Sequence, residues 1–176
     1  MKRSQFQDDW KLSRLDNVCL IKGQYGLNKS AVDLNDKKPI YIRITDISED
    51  GGLLYDGLKS VNFDLSEDYR LEQDDILLAR TGASTGKVYI HNEAGRNFTF
   101  AGFLVRFRIN KNIAEPRYVY YQLKSGKFNK WVKVMSMRSG QPGINSKEYS
   151  SYKIAMPPLE EQKKIANILS TWDRSI

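Results

Sequence analysis

Leu159-Glu160-Glu161-Gln162-Lys163-Lys164-Ile165-Ala166-Asn167-Ile168-Leu169-Ser170-Thr171-Trp172-Asp173-Arg174-Ser175-Ile176 follows directly on Pro157-Pro158 and reads as an amphipathic helix. Ile165, Leu169, Trp172 and Ile176 recur at spacings of four, three and four, which places them on one stripe of a 3.6-residue repeat. The proline pair stops whatever precedes it, and Glu160 and Glu161 suit the positive end of the helix dipole. No glycine or asparagine cap follows the last stripe residue. The expectation is a helix cut short, or one whose interface residues Leu159, Ile165, Leu169, Trp172 and Ile176 wait for a partner helix.

Working outward, residues 149–156 are expected to form the strand that delivers the chain to the prolines. Before it, Met137-Arg138-Ser139-Gly140-Gln141-Pro142-Gly143-Ile144-Asn145 is a glycine-containing loop. It serves either as a plain turn or as a reader of bases, since Arg can bond bidentately to guanine and Gln to adenine. Two helices precede the loop. One starts at Glu115-Pro116, with proline at its first position, and Ser125-Gly126 interrupts it. The other puts Phe128, Trp131, Val132 and Met135 on one face and Lys127, Lys130 and Lys133 on the opposite one. Those lysines are either a solvated face or a phosphate-contacting one.

Residues 97–109 carry the strongest strand signal. Phe103, Val105, Phe107 and Ile109 alternate with Leu104, Arg106 and Arg108, predicting one core face and one that turns basic. Ile76-Leu77-Leu78-Ala79-Arg80 and Val88-Tyr89-Ile90 are two further strands. The loop between them, Thr81-Gly82-Ala83-Ser84-Thr85-Gly86-Lys87, invites comparison with a phosphate-binding P-loop. Three residues rather than four separate its glycines, Val88 rather than Ser or Thr follows the lysine, and the next segment is a strand. Nucleotide binding, the one enzymatic reading the chain suggests, is therefore set aside. What remains is a loop of small residues and hydroxyls with two cations, Arg80 and Lys87, suited to close approach of a backbone or phosphate.

Towards the N-terminus, residues 39–47 are expected to be a strand with Ile40, Ile42 and Ile44 on one face, and Asp46 is a candidate partner for Arg43. Residues 10–15 look like an amphipathic turn entering a strand at 18–22, which Gly23-Gln24-Tyr25-Gly26 then breaks.

A chain of 176 residues holds one domain with a core and an appendage. Its single cysteine, Cys19, stands in the apolar run Val18-Cys19-Leu20-Ile21, so it reads as a core residue and rules out an internal disulfide. No N-terminal apolar segment and no apolar run near twenty residues is present. The expectation is a cytoplasmic protein without a membrane association. His91, the only histidine, falls in a turn, and Asp74-Asp75 reads as a polar bend, so no catalytic constellation, metal site or cofactor is expected.

Charge is distributed unevenly. Residues 1–70 carry eleven Lys or Arg against twelve Asp or Glu, whereas residues 94–156 carry twelve against Glu115 and Glu148 alone. A concentrated basic region points to a polyanion partner, because Lys and Arg gain affinity from counterion release at phosphates.

Four segments together resemble the DNA specificity subunit of type I restriction-modification systems: Tyr41-Ile42-Arg43-Ile44-Thr45-Asp46-Ile47; Asp75-Ile76-Leu77-Leu78-Ala79-Arg80-Thr81-Gly82 with Gly86-Lys87; Gly140-Gln141-Pro142-Gly143-Ile144-Asn145; and Met156-Pro157-Pro158-Leu159-Glu160-Glu161-Gln162-Lys163-Lys164-Ile165. The resemblance covers nearly the whole chain. It implies an α/β (α+β) fold: a target recognition domain with a mixed, twisted β-sheet and short helices over residues 1–156, then the start of a spacer or coiled-coil helix over 157–176. It implies a non-enzymatic function, reading one half of a bipartite site in double-stranded DNA while docking a methyltransferase subunit and, through the complex, restriction subunits. S-adenosylmethionine and ATP would serve those partners. One recognition domain and a short spacer depart from the two-domain pattern, so the chain is either a half-subunit, with a homodimer formed through the C-terminal helix, or a fragment. The DNA-contacting set expected from the charge split and the resemblance is Arg80, Thr81, Ser84, Thr85, Lys87, Lys127, Lys130, Lys133, Arg138, Ser139, Gln141 and Asn145. The competing class is an adaptor that docks the methyltransferase through its helix without reading DNA.

Overall fold

A computed structural model describes residues 10–64, 67–137 and 143–173. In chain order the strands are β1 (Lys11–Arg14), β2 (Cys19–Tyr25), β3 (Ala31–Asp33), β4 (Ile40–Ile42), β5 (Lys59–Val61), β6 (Ile76–Ala79), β7 (Val88–Ile90), β8 (Phe98–Phe100) and β9 (Leu104–Ile109). The helices α1 (Pro116–Leu123), α2 (Gly126–Ser136) and α3 (Ser146–Ser150) follow, then β10 (Lys153–Met156) and α4 (Leu159–Asp173).

The apolar run of β6 explains the architecture. Ile76 and Leu78 face one way, Leu77 and Ala79 the other, and all four are fully buried. Strand β6 lies inside a four-stranded antiparallel sheet of order β2-β9-β6-β7. One face of that sheet packs through Ile76, Leu78, Val105 and Phe107 on Val119, Leu123, Phe128 and Tyr149 of the helices. The other face packs through Leu77, Ala79, Tyr89 and Leu104 on Ile40, Ile42, Phe98 and Phe100 of a second, mixed sheet of order β3-β5-β4-β8, in which β4 and β8 run parallel. Each fully buried side chain of this size contributes about 1.5–3 kcal/mol. A short antiparallel ribbon of β1 and β10 closes the layer that holds the helices.

Coverage on both faces corrects the reading of residues 97–109. They form two strands, β8 and β9, joined by a turn. Leu104 and Arg106, on the phase expected to be solvated, are 0% and 1% exposed because the second sheet lies over them, while Phe103 is 61% exposed. Gly26 and Leu27 create the turn: Gly102 N–H donates to Leu27 O at 2.8 Å and Leu27 N–H to Phe100 O at 2.9 Å. A Cβ at Gly26 would collide with the carbonyls of Phe100 and Ala101.

Other boundaries move for local reasons. Strand β4 stops at Ile42 because the Asp46 carboxylate accepts from the Arg43 backbone N–H (2.8 Å) and its guanidinium (2.6 and 2.9 Å), capping a 3-10 turn at Ile44–Asp46. The Arg43–Asp46 pairing is as expected. Residues 10–15 contain β1 rather than a helical turn, and the following 3-10 turn is Leu15–Val18. Strand β2 runs on to Tyr25 through Gly23 (φ +90°), where the pairing with β9 shifts register. The strand expected over residues 149–156 begins only at Lys153, because residues 146–150 are helical: the Asn145 side chain caps Glu148 N–H and Glu148 returns to Asn145 N–H, each at 2.9 Å.

Helices α1 and α2 begin where expected, at Pro116 and after the Ser125 cap. Cys19 is buried with its thiol pushed up to about 12 by desolvation. His91 is not in an open turn: it is 2% exposed, stacks edge-on against Phe98 and meets the Tyr89 hydroxyl at 3.1 Å. Among the described residues no helix is long and apolar enough to cross a membrane.

The helix after Pro157-Pro158 packs by a different face from its apolar stripe. Gln162 accepts from Glu115 N–H (3.0 Å) and donates to Pro157 O (2.8 Å), and Ala166 and Ser170 are buried beside it. Leu159 and Ile165 are half-buried, Leu169 is partly exposed and Trp172 is 70% exposed. Ile176 lies outside the described residues.

Candidate nucleic-acid interface

The four strands of the central sheet present one rim where β2 ends at Tyr25, β9 begins after Phe103, β6 ends before Arg80 and β7 begins after Lys87. The rim collects pieces far apart in sequence. Thr81 bridges Gly143, and Ile144 N–H donates to Arg80 O at 2.9 Å, so the two loops expected to contact DNA are joined. Together with Met135 of α2 and Glu148 of α3 they line an open recess of about 360 Å³. A Cβ on Gly86 (φ +92°) would meet the Val132 side chain at 2.7 Å, so glycine lets α2 lie against the 81–87 loop.

Side chains along this surface differ in how far they are committed. Arg80 stacks over the Tyr25 ring at 4.7 Å and makes one long contact, Nη1 to Gly102 O at 3.4 Å. Its Nε has no partner among the described residues. That Nε is buried, so the donors Arg80 can offer outward are those of its Nη atoms. Lys127, Lys130 and Lys133 are exposed along α2 and form no ion pair with the described residues. Lys87, by contrast, pairs with Glu49 at 2.7 Å and donates to Ile47 O at 3.2 Å. Thr85 Oγ1 donates to Gly82 O at 2.7 Å, and the Asn145 side chain is the α3 cap. Thr81 and Ser84 are half-buried on the loop. Arg138, Ser139 and Gln141 lie outside the described residues.

The 81–87 loop is a 3-10 turn at Gly82–Ser84 leading straight into β7. The amides of Thr85, Gly86 and Lys87 are occupied by Gly82, Ala79 and Ser84 carbonyls. They are not free to cradle a nucleotide phosphate.

Sequence reasoning missed Tyr25 and Phe103, both on this rim. Nothing local marks them, since each becomes a rim residue only through strand neighbours between 23 and 80 positions away. Elsewhere, an open cleft of about 650 Å³ sets Arg117 and Lys124 among Asp50, Glu93 and Asp173. Charges of both signs make it a poor match for a polyanion.

Two packed sheets with helices on one side, and a rim of loops carrying hydroxyls, aromatics and Arg80, define an α+β domain. The pattern of the family described as "Type I restriction modification DNA specificity domain" matches residues 7–176. The chain belongs to that family. It is 28% identical over 171 residues to the type I restriction enzyme MjaVIII specificity subunit of Methanocaldococcus jannaschii, covering 96% of this chain and 37% of that one. It is 26% identical over 138 residues to the StySPI specificity subunit of Salmonella potsdam, covering 75% and 30%. The fold matches the HsdS subunit from Thermoanaerobacter tengcongensis with a TM-score of 0.68 at 16% identity, over 95% of this chain and 43% of that one. The chain thus spans less than two fifths of the length of these curated relatives.

Proposed function

We propose that the chain is a sequence-reading module of a type I restriction-modification specificity subunit, binding one half of a bipartite site in double-stranded DNA. The observation that carries it is the meeting of Arg80, Thr81 and Gly143–Asn145 on one rim, in a chain of this family whose α2 packs against that rim through Val132 and Met135 and exposes lysines that have no ion pair among the described residues. Lysines position the duplex through phosphates, and Arg80 with the adjoining loops reads base edges. The module performs no chemistry itself. Methyl transfer and cleavage belong to the methyltransferase and restriction subunits it docks, and its place of action is the cytoplasm.

Residues 1–156 act as the target recognition domain, with 157–176 the beginning of the spacer helix. The stripe of half-buried Ile165 with exposed Leu169 and Trp172, beside the face that holds α4 to the domain, is the surface that meets a second helix, including one from another copy of the chain.

Fluorescence anisotropy of this chain with random-sequence duplex over a salt series tests the reading. Affinity should fall steeply as salt rises, and binding indifferent to salt would overturn it. Light scattering tests the helix: Leu169→Asp should leave the melting temperature within about 2 °C but lower the assembled mass, and unchanged mass would refute the spacer role.

A further inference from the structure

The Phe103 ring is 61% exposed and belongs to none of the hydrophobic clusters of the domain. Single exposed apolar residues are ordinary on protein surfaces, and Leu12, Leu20 and Ile168 are others here. Phe103 differs in being held and in where it is held. Its carbonyl accepts from Arg80 N–H at 3.0 Å, the preceding Gly102 N–H is fixed to Leu27 O at 2.8 Å, and the following Leu104 N–H to Ala101 O at 2.9 Å. The backbone is clamped on both sides while the side chain stays 61% exposed. Because β9 lies between β2 and β6, Phe103 is flanked by Tyr25, which ends β2, and by Arg80, which follows β6, and these two stack on each other.

We propose that Phe103 is a specificity-determining residue, making apolar contact with a thymine methyl group at the base pair next to the one Arg80 reads. This rests on the DNA-reading assignment above. A thymine C5 methyl is the apolar feature a major groove offers, and an aromatic ring on a rigid turn meets it without losing further conformational freedom. The guanidinium, oriented by Tyr25, supplies the hydrogen-bonding half of the same contact.

The test starts by selecting a preferred half-site from a randomised duplex pool with the unmodified chain. Binding is then measured for Phe103→Ala and Phe103→Leu on that site and on the same site with each thymine replaced by deoxyuridine. Phe103→Ala should melt at the wild-type temperature and keep its affinity for random duplex. On the selected site it should lose about 5- to 10-fold, the low end of what one mismatched pair costs. One deoxyuridine replacement should weaken the wild-type chain by a similar factor and leave Phe103→Ala unaffected, with Phe103→Leu in between. If Phe103→Ala selects the same site with the same preferences, or if deoxyuridine affects both proteins alike, the inference falls while the DNA-reading assignment stands. That result would also leave the ring free for a protein partner instead. If the unmodified chain binds no duplex, both are overturned.

Discussion

Arg106 and Arg108 in the middle of β9, and Arg80 beside its first residue, sit within a few rungs of one another and have opposite fates. Arg108 forks onto Asp75 at 2.7 and 2.9 Å and reaches Glu72, while Arg106, 1% exposed, bonds Arg70 O, Asp68 O and the Gln24 side chain and lies 3.5 Å from Asp75. Two cations and two carboxylates cancel there. Desolvation lowers the Arg106 pKa, whereas the Asp75 bond raises that of Arg108. Nearby, Lys111 is matched to Asp74 and Arg96 to Asp36. Among the described residues, Arg80 and the α2 lysines have no such carboxylate. The comparison teaches that the basic excess of residues 94–156 overstates the surface available to a polyanion: part of it is bound to the carboxylates and carbonyls of residues 68–75, and only part faces outward.

Breaking the inner cluster should have the largest effect. Asp75→Asn leaves Arg106 buried with its nearest countercharge gone, and should destabilise the fold by about 3–5 kcal/mol in urea unfolding, as removal of one partner of a buried pair does. A loss below about 1 kcal/mol would show that the cluster is more hydrated than its burial indicates.

The outward set should behave in the reverse manner. Replacing Lys127, Lys130 and Lys133 by Gln should change stability by no more than about 0.5 kcal/mol per site. It should flatten the salt dependence of duplex binding by about 0.9 in log–log slope for each lysine that contacts phosphate. An unchanged slope would remove α2 from the interface.

The smallest effect concerns His91, which caps the sheet face behind the cluster. Burial lowers its pKa from the ordinary 6.5, opposed in part by Asp75 and Glu93. The unfolded chain therefore takes up a proton at a higher pH than the folded one. Stability is full above about 6.5 and falls as pH drops through the window below it, by at most about 1.4 kcal/mol per pH unit. His91→Gln should flatten the fall in melting temperature between pH 7 and 5. An equally steep fall in the variant would assign it to other groups.

Much of the fold was legible. Glu115-Pro116 and Ser125-Gly126 started helices where they stand, and β6 and β7 followed from their apolar runs. The α3 helix was legible too, in the capping pair of Asn145 and Glu148, but the apolar and aromatic residues after it were read as a strand. For the candidate site, composition pointed to the two loops and the α2 lysines, whereas the structure shows Lys87, Thr85 and Asn145 engaged in holding the loops themselves.

The sequence by itself determined what depends on neighbours in the chain: helix starts, turns, the burial of Cys19 in its apolar run, and the four segments that mark the family. Tertiary structure alone decided which side of β9 is dry, that Arg106 is buried beside Asp75 while Arg80 stacks on Tyr25 at the rim, and that Phe103 belongs to the rim. The physical reason is that alternation reports two faces of a strand but not what covers them. A second sheet folded over the polar phase of β9 turns a solvent face into a core, and charges there persist only because Asp75 was brought 33 residues back along the chain to meet them.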